Sequence, residues 1–261
     1  MHPNPSRLTT NPCAPHLTFC IATTFSCLYC SYLRNKVYVM QSCLEPTYYL
    51  NHDDPGVQEF AESHTRDLKT DKERAVVLFK VVRDKFAYNP YDINLEKQAM
   101  RASEILKRTH GYCNEKAIVL AAALRHLGIP ARLYFGNVRN HIGTSRLEKL
   151  LQTDVLAFHG CVEIELEGKW LKATPAFNAG LCRRLGVEPL EFNGEEDCIF
   201  QQFSNDGRRF MEYIEIHGSY DDMPYDRFVQ ELRKHYGHLV QAEGKHYRFS
   251  NLANDDKIST Q

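Results

Sequence analysis

The sequence predicts a mixed protein in which helices come first and antiparallel strands follow. Three observations predict it. A capping box, Thr70-Asp71-Lys72-Glu73, precedes one apolar helical face; a second helical face opens at Cys113 and stops at Gly128; and the stretch from Val155 to Thr174 reads as a hairpin whose first arm alternates apolar and polar residues.

Taken in order, Pro55 to Asp67 carries Val57, Phe60, Ala61 and His64 at helical spacing. The capping box then lets a hydroxyl and a carboxylate satisfy reciprocal backbone donors, and the helix it opens turns Ala75, Leu78, Phe79 and Val82 inward, ending near Phe86. Tyr88 to Asp92 reads as a loop, because Pro90 disfavours helical geometry at Asn89. A short helix follows around Ala102–Arg108. From Cys113, apolar residues recur at Ala117, Leu120, Ala121, Leu124 and Leu127, and Gly128 with Pro130 ends that helix. Ala131 to Phe135 reads as a strand and Ser145–Gln152 as a short polar helix. In the hairpin, Val162, Ile164 and Leu166 share one face, and His159, Cys161, Glu163 and Glu165 the other. Residues 180–222 read as irregular, with short strands at most. Pro224 to Tyr236 closes the series as an amphipathic helix stopped by Gly237.

The chain has 261 residues, enough for one large or two small domains. No repeat and no linker divides it, so residues 40–249 are expected to form one domain and 250–261 a polar, mobile tail. Thirty-two basic against thirty-three acidic side chains give a net charge of -1, which argues against a nucleic-acid partner. No apolar run approaches the roughly 20 residues that span a bilayer. Nine cysteines, an odd number at irregular spacing, read as reduced thiols of a cytoplasmic protein rather than a disulfide framework. Cys27 and Cys30 form a lone C-x-x-C without the further ligands that zinc requires, and no acidic loop has calcium-ligand spacing, so no metal and no cofactor is expected. Residues 1–39 have no acidic side chain, and their uncharged run from Leu17 to Leu33 is broken repeatedly by Ser and Thr. They read as a disordered leader, or as sequence upstream of a start at Met40, more than as an export signal.

Cys113 sits at the first turn of its helix, after Gly111-Tyr112, where unpaired N–H groups and the helix dipole favour a thiolate. His159 lies downstream on a strand. A thiol hydrolase or acyltransferase needs this division of labour: a sulfur that attacks a carbonyl and an imidazole that takes and returns the proton. His141 is a rival base, but lies in a loop. The same residues also fit an inert buried thiol and a half-buried strand histidine.

Gly111-Tyr112-Cys113-Asn114-Glu115-Lys116-Ala117, Leu127-Gly128-Ile129-Pro130-Ala131-Arg132, and His159-Gly160-Cys161-Val162-Glu163 with Gly168-Lys169-Trp170 resemble the transglutaminase-like superfamily, over roughly Val76 to Asn178. The resemblance implies a papain-like α+β fold, with N-terminal helices and the nucleophile's helix packed against an antiparallel sheet. It also implies a Cys–His–Asp triad acting on amides of a peptide or protein through a thioester. Carried over, Cys113 is the nucleophile and His159 the base. Where the family places its Asp, this chain has Thr174 before Pro175; Asn178 is a second candidate for orienting the imidazole. A threonine can hold a neutral imidazole but stabilises imidazolium less than a carboxylate does. A catalytically weak or inactive papain-like binding module is therefore a competing reading, and a zinc protein using Cys and His a third.

Overall fold

The computed structural model describes residues 41–141, 145–200, 204–240 and 244–248. The expected leader, residues 1–39, and the expected tail, 250–261, lie outside the described residues.

Two helices form as their end signals dictate. In α1 (Pro55–Thr65), Asp54 caps the start, accepting from Gly56 N–H at 2.9 Å, with proline at the first helical position. In α2 (Asp71–Lys85) the capping box is complete: Glu73 N–H donates to Thr70 Oγ1 at 3.2 Å, and Thr70 N–H to Glu73 Oε2 at 2.9 Å. The loop expected at 88–92 is bracketed by two short strands, β1 (Ala87–Tyr88) and β2 (Asp92–Asn94). After a 3-10 turn at Lys97–Met100 and a single helical turn, α3 (Ala102–Ile105), the chain forms β3 (His110–Gly111), which pairs in parallel with β1. Single-residue propensities miss these pairings because they are non-local.

The central element is α4 (Cys113–His126). Cys113 through Arg125 are all buried, so the helix runs through the interior rather than along it. Its polar members are correspondingly paired. Arg125 donates to the carbonyls of Ala131, Glu45 and Asp221 at 2.7, 2.8 and 2.7 Å. Lys116 Nζ donates to those of Arg83, Phe86 and Ala176 at 2.8, 3.0 and 2.5 Å.

Against α4 lies an antiparallel sheet of order β6-β5-β4-β7, comprising β4 (Ala131–Asn140), β5 (Val155–Leu166), β6 (Lys169–Ala173) and β7 (Met211–Tyr220). Between β4 and β5 comes the short helix α5 (Ser145–Leu151). The β5–β6 turn is Glu167-Gly168, both at positive φ (52° and 83°), as the right-handed twist of a two-residue hairpin requires. Val162, Ile164 and Leu166 enter the core as expected, but Cys161 and Glu163 on the other face are buried too. Glu163 is held there by Arg132 and Ser219, each at 2.6 Å.

The region expected to be irregular contains α6 (Ala179–Leu185) and β7. Helix α7 (Tyr225–Tyr236) then packs on β5, and β8 (His246–Arg248) pairs antiparallel with β2. Among the described residues no helix is long and apolar enough to cross a membrane.

Candidate active site

Cys113 is the first residue of α4, with Tyr112 as its N-cap. Its helix begins there because Gly111 brings the chain in beside Glu115, whose Oε2 accepts Tyr112 N–H at 3.2 Å. Burial pushes the Cys113 thiol up to about 11, although backbone N–H groups of Gly160, Asn114 and Cys113 itself pull the other way. Desolvation thus outweighs the helix-start effect that sequence alone suggests. The sulfur donates to Asn114 Oδ1 at 3.4 Å.

His159 stands on β5 just past an irregularity. Register shifts between Gly136 and Val138 on β4, and opposite it Phe158 adopts a left-handed backbone at φ 55°. For a bulky residue that conformation costs energy and must be held by its surroundings. Asn137 Oδ1 accepts Phe158 N–H at 2.8 Å, and the Tyr236 hydroxyl accepts Ala157 N–H and donates to the Val155 carbonyl, both at 2.7 Å. His159 itself is buried, its imidazole pushed down to about 4 by desolvation, and its Nδ1 has no hydrogen-bond partner among the described residues.

Cys113 and His159 line one cavity of about 60 Å³, together with Tyr88, Tyr112, Asn114 and Ala157. Leu147 and Leu151 of α5 and Phe228, Leu232 and Tyr236 of α7 complete its walls. The cavity is small and mostly apolar, with Pro90, Ile93 and Leu156 also on its lining. Gly160 is obligatory beside it: a Cβ there would stand 2.5 Å from Asn114 Oδ1 and 3.0 Å from the Phe135 ring.

The other sequence candidates lie elsewhere. Thr174 is buried past the end of β6; its N–H donates to the Cys198 carbonyl at 2.9 Å, and it does not line the cavity. Its hydroxyl lies close enough to Cys161 to favour that thiolate, without a well-formed hydrogen bond. Asn178 Oδ1 is occupied by Tyr88 N–H at 3.1 Å. His141 pairs with Glu212 at 3.0 Å, outside the cavity. Sequence reasoning did not single out Asn114, Tyr112 or Tyr236. Asn114 is adjacent to Cys113 and within its motif, whereas Tyr236 comes to the site only through the packing of α7.

Residues 58–175 match the family model of the transglutaminase-like superfamily. This segment is a transglutaminase-like core. It includes Cys113, His159 and Thr174 and ends just before the segment that carries Asn178. No curated protein matches the chain. Among solved structures, one described as a candidate cysteine protease from Cytophaga hutchinsonii aligns at 21% identity over 52% of this chain and 41% of that one, with a TM-score of 0.41. Another, described as a candidate protease from Parabacteroides distasonis ATCC 8503, aligns at 17% identity over 48% and 25%, with a TM-score of 0.33. The chain spans less than half the length of either.

Proposed function

We propose that the transglutaminase-like core carries a thiol enzyme that acts on a peptide or protein amide through a thioester, with Cys113 as nucleophile and His159 as base. The observation that carries this reading is the shared cavity, whose walls hold the sulfur at a helix start and the imidazole on the facing strand. With the thiol raised and the imidazole lowered, the resting pair is neutral. His159 then takes the thiol proton as the sulfur attacks, and returns it to the leaving amine. The N–H groups of Cys113, Asn114 and Gly160 surround the sulfur and favour negative charge there. Water entering the thioester gives hydrolysis, and an amine gives acyl transfer. Cys43, Cys113, Cys161, Cys182 and Cys198 are not in disulfides, which fits a reducing, cytoplasmic setting.

A second reading, a binding module without turnover, is favoured by the partnerless Nδ1 of His159 and the smallness of the cavity. Iodoacetamide labelling against pH separates them. In the enzyme reading, Cys113 labels ahead of Cys161, Cys182 and Cys198, and His159→Gln slows it. Labelling of Cys182 or Cys198 first, with His159→Gln unchanged, would sink the catalytic assignment. Hydrolysis and amine incorporation on a panel of peptide amides then identify the reaction.

A further inference from the structure

Helix α7 presents two faces. Phe228, Leu232 and Tyr236 line the Cys113 cavity, while Glu231 faces Glu215 and His217 of β7, two residues apart, and His235, one turn further along the helix, stands beside Glu231 and Asn137. Spacings of four on a helix and two on a strand each put a pair of side chains on one side. One ligand atom from each of Glu215, His217 and Glu231 lies within 4.8 Å of the other two. Glu231 Oε2 stands 4.0 Å from His217 Nε2 and 3.6 Å from His235 Nε2. These separations are too long for hydrogen bonds. They are close to the edge of about 3.3 Å expected of a tetrahedron whose metal–ligand bonds are about 2.0 Å. The same Oε2 is shielded from solvent without a hydrogen-bond partner, although Lys234 Nζ approaches to 3.5 Å.

We infer that Glu215, His217 and Glu231 form a site for one divalent transition-metal ion of the zinc class across the seam between β7 and α7, with His235 turning in from beside Glu231 as the fourth ligand. Two imidazoles and two carboxylates suit zinc, cobalt or nickel better than magnesium or calcium, which take oxygen. Asn137 supports Glu215, its Nδ2 donating to Glu215 Oε2 at 2.8 Å, while its Oδ1 accepts from His217 Nε2 at 3.0 Å, a bond that an ion at Nε2 replaces. Arg227 faces His217 Nδ1 at 3.2 Å, so the metal-free ring carries its proton on Nε2. An ion at Nε2 moves that proton to Nδ1, with no net release, and Arg227 turns away. The move is cheap, because Arg227 is exposed and keeps the Tyr220 hydroxyl as partner. Asn137 keeps its bond to Phe158. A bound ion thus ties the cavity-lining helix to the sheet. The site stands apart from Cys113 and holds whether or not the chain is an enzyme.

Titration of the full chain with Co²⁺ and Zn²⁺ tests this. The expected result is one ion per chain, with cobalt bands of nitrogen and oxygen ligation and no sulfur-to-cobalt charge transfer. Glu231→Gln and His235→Ala should each weaken binding by about tenfold or more. Zn²⁺ should raise the melting temperature of wild type and not of His235→Ala. A thiolate charge-transfer band, equal affinity and equal thermal shift in both variants, or no binding up to about 1 mM metal would overturn the assignment.

Discussion

Asn137 on β4 accepts the backbone N–H of Phe158 on β5 at 2.8 Å, and so holds the left-handed residue that immediately precedes His159. All of this occurs out of water, because Asn137 and Phe158 are both buried. Asn137→Ala removes the acceptor of both Phe158 N–H and His217 Nε2, while His217 keeps Arg227 at Nδ1. The expected cost is about 2–4 kcal/mol in urea unfolding, from the orphaned buried groups. Cys113 alkylation should slow as well, because the strand that carries His159 loses its fixed geometry. A stability change below about 0.5 kcal/mol would mean that the bulge is held by other contacts.

Gly160 offers a sharper perturbation of the same strand. Gly160→Ala places a methyl 2.5 Å from Asn114 Oδ1, so Asn114 and the start of α4 must move. Overpacking of this kind costs about 1–3 kcal/mol. Cys113, one residue before Asn114, should alkylate with altered rate while Cys43, remote at the other end of α4, should not. Unchanged rates at both would show that the helix start yields without disturbing the sulfur.

Protonation of His159 gives a pH signature. Its imidazole is held to about 4 by desolvation, below the ordinary 6.5. As pH falls through 6.5, the unfolded chain takes up a proton that the folded chain refuses, so stability is lost progressively until about pH 4 and is complete above 6.5. Between pH 7 and pH 5 the loss attributable to this group is about 2 kcal/mol. His159→Asn should lose that much less than wild type over the same interval; parallel pH profiles would refute the burial argument.

Lys116 joins three separate segments through the carbonyls of Arg83, Phe86 and Ala176. Lys116→Met preserves the length of the stem and leaves three buried acceptors unserved. A loss of about 1–3 kcal/mol is expected, from buried carbonyls left without a donor, since burial already pulls the Lys116 amine down to about 7 and limits what its charge contributes. Equilibrium denaturation would show the loss as a lower midpoint at unchanged slope, whereas a neutral result would mean that water replaces the ammonium.

Thr174 should behave as a bystander to the sulfur. Its hydroxyl has no well-formed hydrogen bond and lies by Cys161 rather than on the cavity wall. Thr174→Val should leave Cys113 labelling within about twofold and stability equal or slightly higher, since an unpaired buried hydroxyl is lost. A marked slowing would restore Thr174 as the orienting residue.

What the sequence made legible follows from local signals. The capping box at Thr70 and the helix opening at Cys113 are each determined by a few neighbouring residues, and each stands where the pattern put it. The hairpin register, open in the sequence between a Glu167-Gly168 and a Gly168-Lys169 turn, is set at Glu167-Gly168 by pairing of the two strands. Strand β7 was hidden for the opposite reason. It is an edge strand with Ile214 and Ile216 outward, a positive-φ Gly218 and two register shifts against β4, so its hydrophobic alternation is scrambled. At the site, the positions of Cys113 and His159 could be read, but their electrostatics could not. The helix-start argument favours a thiolate, and complete desolvation, a property of the packed fold, reverses it.

Burial of α4 on every side also sets how its backbone communicates with solvent over time. A helix lying on a surface can fray or lift locally, and its amides exchange with deuterium through such small openings. From Cys113 to Arg125 there is no solvent-facing side to lift. The slowest amides of the described residues should therefore lie in α4, exchanging at a rate set by global unfolding, so that the peptide bearing Cys113 doubles as an internal gauge of the stability of the whole fold.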